Sequence, residues 1–334
     1  MKETISITMN QHIRSLLLLP VFLVSLLAGA QQVKNPVWHR NWPDPTIWQG
    51  DDGRYYCIAT SPRRCLVSDD LFNWNLSDIT PIDPESWQTV TAVSHHLWAP
   101  DVTTVGDRRL MYITLYNSAE DSSIGVLTET LPGRFRFNGI ITKGSETGIE
   151  DTIDPEVVTD PQTGQVWMFF GSVGGIHRVE LAPDGLSLKE GSRYEHVAGQ
   201  TVHQCPDRSK VFEGSYLHWH RGYWYLFVSS GFYGNHTYQL QVGRSKELTG
   251  QFLNREGKPM TEGYATPVLH SDEGDNFFGP GHCGEIFTAA DGNEYIFYHC
   301  HVRNSRNPNH RPMFMSRIQW DQDEWPYVEG GKPA

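Results

Sequence analysis

The feature that most constrains the fold of this chain is a segment written five times. The five copies are "WPDPTIWQGDDGRYYCIAT", "WAPDVTTVGDRRLMYITLY", "TIDPEVVTDPQTGQVWMFFGS", "VFEGSYLHWHRGYWYLFVSS" and "GPGHCGEIFTAADGNEYIFYH". Each has a polar residue, a short apolar strand, a turn with Gly or Asp, and a strand rich in aromatic and β-branched residues. That order reads as a β-hairpin. The polar leaders are Asp44, Asp101, Asp154, Glu213 and His282, at separations of 57, 53, 59 and 69 residues.

Units of this length hold four strands and their loops. Further strands are expected between the hairpins at "RCLVSD", "SSIGVLTE", "GGIHRVEL" and "YQLQVGRS". Long periodic helices are absent from the pattern. Five four-stranded units in a radial array predict an all-β protein, a five-bladed β-propeller. The first strand of each blade then lines the central channel, and the leaders gather at one end of it. The prolines around Asp44 are expected to fix its backbone so that it faces the axis. Four carboxylates and an imidazole brought together push pKa values apart, an arrangement suited to acid/base chemistry.

The formal charge of −12 argues against nucleic acid or an anionic membrane as partner, because both need a positive field. A neutral ligand fits better. The 11 Trp and 14 Tyr suit a sugar, whose C–H faces stack on aromatic rings, although most such rings fill a β core. Residues 1–30 read as a signal peptide. Lys2 and Arg14 precede or flank the apolar run "SLLLLPVFLVSLLAGA", and Ala28-Gly29-Ala30 forms a small-x-small cleavage site. That run is short for a membrane span and contains Pro20. The expected mature chain, residues 31–334, is a single propeller working outside the cytoplasm, in the periplasm, at the cell surface or in the medium, as a monomer. The five Cys show no C-x-x-C spacing, which disfavours zinc and leaves buried free thiols or a disulfide open. His95 and His96 are neighbours and point to opposite sides of a strand. His299 and His301 share a strand face but lack a third ligand.

At "PDP", "IDP", "EGSY" and "GPGH" the chain resembles the glycoside hydrolases of family 43, from about Asn35 to Val328. The resemblance implies Asp44 as general base, Glu213 as general acid, and Asp154 as the residue that orients the acid and tunes its pKa. It implies that His282 contacts an axial ion, often calcium, or its water shell. No organic cofactor is implied. "LWAPDV", "SSIGVLTE" and "FFGSVGGI" look most like the arabinan-degrading branch, especially the endo-1,5-α-L-arabinanases. The implied function is inverting hydrolysis of α-L-arabinofuranosidic bonds in arabinan. An exo-acting α-L-arabinofuranosidase or a β-xylosidase is the alternative, and a non-catalytic sugar-binding propeller a more distant one.

In an inverting enzyme the two carboxyls stand about 6.5–9.5 Å apart, leaving room for water. Tyr216 and Trp219 are expected beside Glu213, with Asp154 ionised. Trp98, Asp101 and Phe232 are the candidate substrate contacts, with Tyr233 next to Phe232. Val173-Gly174-Gly175 and the segment "GQTVHQCPDRSKVF" before Glu213 are expected to open or reshape the walls of the cleft.

Overall fold

The computed structural model describes residues 33–334, so the signal-peptide expectation for residues 1–30 lies outside the described residues. Five antiparallel sheets follow in chain order. Blade 1 comprises Thr46–Gln49, Tyr55–Ile58, Leu66–Ser68 and Asn75–Leu76. Blade 2 comprises His96–Val105, Arg108–Tyr116, Ser122–Leu131 and Arg134–Lys143. Blade 3 comprises Glu156–Thr159, Val166–Phe170, Ile176–Leu181 and Glu195–Ala198. Blade 4 comprises Phe212–His220, Tyr223–Ser230, Gln239–Ser245 and Thr266–Leu269. In blade 5 the first strand is split into Phe277–Gly281 and Ile286–Thr288. Both pieces pair with Glu294–Val302, followed by Met313–Trp320 and Pro326–Val328. The fold is the five-bladed β-propeller that the repeats predict.

The core is divided among the seams. Five buried apolar clusters each join neighbouring blades: Trp48 and Tyr56 to Met111 and Phe135, Tyr112 to Met168 and Phe170, Phe169 to Phe212 and Leu226, Tyr225 and Phe227 to Ile296 and Phe314, and Phe297 and Met315 to Ile47 and Cys57. The last cluster closes the ring. Each sheet therefore buries both faces, which is why the second strands read as continuous apolar runs rather than alternating ones. Tyr225, Leu226, Phe227 and Val228, for example, are all fully buried. All five Cys are free and buried, so the cysteines contribute packing and no cross-links.

A helix at Pro84–Val93, between blades 1 and 2, was not anticipated. Its local signal is nevertheless present. Asp83 accepts hydrogen bonds from the Glu85 and Ser86 amides, and Pro84 occupies the first turn. Among the described residues, no helix is long and apolar enough to cross a membrane.

Two sets of hydrogen bonds link successive blades near the channel. In the outer set, a backbone amide at the start of a blade donates to a side chain of the blade before it. Asp44 donates to His299, Ala99 to Thr60, Asp154 to Thr114 and His282 to Ser229. In the inner set, five side chains each accept an amide N–H of the next blade. Thr46 accepts from Val102, Asp101 from Val157, Glu156 from Leu217, Tyr216 from Ile286, and Glu285 from Ile47, which completes the circle.

The outer set shows which residue truly opens each blade. Asp44, Ala99, Asp154, Gly214 and His282 all have positive φ, at 56°, 38°, 56°, 60° and 47°. Asp44 and Asp154 precede Pro45 and Pro155. Proline should drive its predecessor to extended backbone, yet both sit in the left-handed region, where Asp is one of the few residues tolerated. The expectation that flanking prolines alone aim Asp44 is corrected: the strained turn is held by the His299 bond and the neighbouring blade. At Gly214 the reason for glycine is close approach, because a Cβ there would lie 2.9 Å from His282 Nδ1.

Asp101 is a second correction. Ala99 holds the opening position of blade 2, and Asp101 lies two residues deeper on the strand. It is buried, with Oδ2 accepting from the Val157 amide 2.9 Å away. It belongs to the inner ring rather than to the substrate contacts.

Candidate active site

A cleft of about 330 Å³ opens at the end of the channel where the blades begin, within the usual size range for ligand sites. Asp44, Asp154, Glu213 and His282 line its floor, and Trp98 and Phe232 line its walls.

Asp44 is buried and heavily supported. Thr60 Oγ1 donates to Oδ2 at 2.5 Å, and Arg311 Nη1 lies 3.3 Å from Oδ1. His282 Nδ1 is 3.5 Å from Oδ1. Burial alone would raise this carboxyl, but Arg311 first, then His282 and His299, hold it well below the usual carboxylate range. The buried His299 ring is pushed down to about 3 by desolvation and by Arg311. It is therefore neutral and can accept the Asp44 amide at Nδ1, 3.2 Å away.

Glu213 sits one residue before Gly214, where the first strand of blade 4 has a register shift. Its Oε1 accepts from the Tyr238 hydroxyl and its Oε2 from Ser172 Oγ, each at 2.8 Å. The expected neighbours were Tyr216 and Trp219, and both are elsewhere. Tyr216 belongs to the inner ring, and Trp219 packs on Trp224. Side chains alternate along the strand, and the irregularity after Glu213 resets which of them face the cleft.

Asp154 is buried, and its Oδ2 accepts from the Gly214 amide at 3.2 Å. Burial pushes this carboxyl well up, and the charges of Glu213 and Asp44 add to the effect. The expectation of a simply ionised Asp154 therefore changes. A carboxyl in a dry site beside other carboxylates favours its protonated form. Nearby Asp151 is raised to about 6 by burial and by Glu213, and its Oδ1 is buried without a hydrogen-bond partner. One side of the cleft thus keeps an acid protonated while Asp44, on the other, stays ionised.

The walls are aromatic. Trp98 stacks on Tyr116 at 4.1 Å and on His96 at 5.5 Å. Opposite, Phe232 and Tyr233 are 43% and 41% exposed, unusual for such large rings and suited to contact with a ligand. Arg208, from the segment before Glu213, lies over Phe232, and Arg311 lies over Tyr233. Val173 also lines the cleft. Arg311, Tyr238, Ser172, Thr60, Tyr116 and Asp151 were not picked out from the sequence, and His299 was named only as a strand-face pair with His301.

The axis below His282 was tested for a hard cation. Asp101 Oδ2 and Glu156 Oε1 accept backbone amides, and the two carboxyls also hydrogen-bond each other. Burial pushes Asp101 up to about 7, and burial together with Asp101 raises Glu156. Buried oxygen donors lacking compensating positive charge fit calcium.

Residues 33–326 match the family described as glycosyl hydrolases family 43. An extracellular exo-α-(1→5)-L-arabinofuranosidase of Cellvibrio japonicus is 29% identical over 93% of this chain and 91% of its own length. An extracellular endo-α-(1→5)-L-arabinanase of Bacillus subtilis is 29% identical over 71% of this chain and 75% of its own. The solved structure of a Cellvibrio cellulosa α-L-arabinanase complexed with arabinohexaose superimposes with a TM-score of 0.72 at 25% identity, covering 86% of this chain and 95% of that one. A match over nearly the whole described chain, on a propeller with paired carboxyls in its axial cleft, places the chain in glycosyl hydrolase family 43, as a glycosidase.

Proposed function

We propose that the protein hydrolyses α-1,5-linked arabinan at internal bonds, with inversion, using Asp44 as base and Glu213 as acid. The observation that carries this reading is the electrostatic split across the cleft. Asp44 is held ionised chiefly by Arg311, whereas on the other side burial, with the charges of Glu213 and Asp44, pushes the Asp154 carboxyl well up. A general base needs the first condition and a general acid the second.

In the forward direction a water on the Asp44 side loses its proton to Asp44 and attacks the anomeric carbon. Glu213 gives its proton to the departing oxygen. The hydrogen bonds from Tyr238 and Ser172 fix the Glu213 carboxyl and stabilise the carboxylate that forms. Asp154 accepts the Gly214 amide and so holds the backbone beside Glu213. Trp98 and Tyr116 offer one stacking wall, and Phe232 and Tyr233 the other.

An exo action is the second reading, favoured by the long alignment with the Cellvibrio japonicus enzyme. Chromatography of products from linear α-1,5-arabinan separates the two. A ladder of oligosaccharides is expected, and arabinose alone from the first time point would replace the endo reading. Release of xylose from xylo-oligosaccharides with no action on arabinan would discard the substrate.

Export is proposed from the N-terminal pattern and from relatives named as extracellular. A secreted or periplasmic form beginning near Gln31 tests it by N-terminal sequencing.

Calcium is proposed at the axis, held by His282 or its water shell. Such an ion would supply fixed positive charge beneath the cleft. Chelation is expected to lower the melting temperature and added calcium to restore it. An unchanged melting curve would remove the ion from the account.

A further inference from the structure

We propose a second metal site, for a zinc-class divalent ion, on the propeller face opposite the cleft, in the seam between blades 4 and 5. Its ligands are His218, His220 and Glu294. One ligand atom from each lies within 4.8 Å of the others.

Each part of the chain supplies its residue for a clear reason. His218 and His220 stand two apart on the first strand of blade 4, so both project from the same side. They lie toward the end of that strand, whereas Glu213 is near its beginning, about 15–20 Å away. Glu294 opens the second strand of blade 5. Two imidazoles and one carboxylate, with a coordination position left open, form a donor set typical of zinc. Closing from the present spacing to the roughly 3.3 Å that separates ligand atoms around tetrahedral zinc needs only small side-chain rotations.

The surroundings hold the ligands as outer partners do in metal sites. Trp320 Nε1 donates to Glu294 Oε2 at 2.6 Å, leaving Oε1 free. His218 Nδ1 meets the Tyr216 hydroxyl at 3.3 Å, which leaves Nε2 as the available nitrogen. The His220 ring lies flat on Trp320, 3.7 Å between centroids and 6° from parallel, so its orientation is set before any ion arrives.

A second observation points to a missing ligand. His220 Nε2 and Glu324 Oε2 are both buried atoms without a hydrogen bond. They stand 3.3 Å apart, at ion-pair distance. Buried polar atoms left unpaired are uncommon and costly. An ion at the cluster would satisfy the nitrogen and bring Glu324 within reach as a further ligand. An open groove bordered by His220, Glu294, Arg317 and Trp320 provides an entry path. The ion would pin the first strand of blade 4 to the second strand of blade 5.

The test uses the whole mature protein, stripped with chelator, dialysed against zinc and then assayed for bound metal. One zinc per chain is expected above the content of His220→Gln, with a raised melting temperature. Glu294→Gln, a milder change that should fold if His220→Gln does not, is expected to weaken zinc binding at least about tenfold. Cobalt in place of zinc is expected to give the visible absorption of a tetrahedral ion, absent in both variants. Arabinan turnover should be the same in all three proteins. Equal zinc in the wild type and both variants would overturn the site and would place any bound metal elsewhere, for instance at His282 and His299. That result would leave the cleft's hydrolytic reading untouched.

Discussion

Glu213→Gln is expected to lower kcat on α-1,5-arabinan by about 10³-fold, while the protein keeps its melting temperature within a few degrees. Gln keeps the size of the side chain, its oxygen can accept from one of Tyr238 and Ser172 and its NH₂ can donate to the other hydroxyl, so folding has little reason to change. What is lost is the transferable proton. A sugar alkoxide is a poor leaving group and needs that proton, whereas a nitrophenolate does not. The same variant should therefore keep much of its activity on an aryl α-L-arabinofuranoside with a nitrophenolate leaving group. Asp44→Asn provides the contrast. It removes the group that activates water, a step common to both substrates, and should be slow on both. If Glu213→Gln were equally impaired on both substrates, its role would be positioning rather than proton donation. If Asp44→Asn recovered on the aryl substrate, the two assignments would be exchanged.

The contrast depends on charge, not merely on which acids are present. Three acids meet in the cleft, and their neighbours sort them. Arg311 and His282 stand against Asp44, His282 also comes within 3.7 Å of Asp154 Oδ2, and hydroxyls alone hydrogen-bond Glu213. The motifs "PDP", "IDP" and "EGSY" located the carboxyls, because each sits where a blade begins and the recurrence is visible in the chain. The sorting was less legible. Arg311 lies in the connection between the second and third strands of blade 5, far along the chain from Asp44, and it reaches Asp44 only through the closed ring. Tyr238 immediately precedes the third strand of blade 4 and looks like any core tyrosine.

Other missed residues did leave a signal. The second strands run "YYCIAT", "MYITLY", "MFFGS", "LFVSS" and "IFYHC". At or just beyond the aromatic run each offers a hydroxyl or an imidazole: Thr60, Thr114, Ser172, Ser229 and His299. Four of them accept the opening amide of the next blade, and Ser172 instead bonds Glu213. Aligning the units on their polar leaders hid this, because Ala99 opens blade 2 and carries no polar group. The backbone turn repeats strictly, whereas the side chain on it does not. Asp101 was misplaced for the same reason, and the alignment that puts it two residues along the strand also groups it with Thr46, Glu156, Tyr216 and Glu285.

That inner ring leads to the largest stability effect expected in the molecule, at Glu285. Its Oε2 accepts the Ile47 amide at 2.5 Å and its Oε1 accepts from Thr46 at 2.8 Å, so it joins the last blade to the first. Glu285→Ala leaves the Ile47 N–H unpaired in a dry seam and opens a cavity. The two costs together come to about 3–5 kcal/mol, read as a fall in urea midpoint with little change in slope. Glu285→Gln separates hydrogen bonding from charge. Burial, and then Asp101, push the Glu285 carboxyl up to about 8. A carboxyl raised on folding favours the folded state fully below its unfolded value near 4.5. That contribution is lost as pH rises through 8, because the folded protein must then give up a proton or bury a charge. Gln, always neutral, can turn its oxygen to Ile47 and its NH₂ to Thr46. In chelator-containing buffer Glu285→Gln should match the wild type closely at pH 5 and exceed it in stability at pH 9. A variant as weak as Glu285→Ala at both pH values would mean that the ring needs the carboxylate itself. A wild type whose stability does not fall between pH 5 and 9 would mean that Glu285 is charged in the folded protein, with a positive partner on the axis.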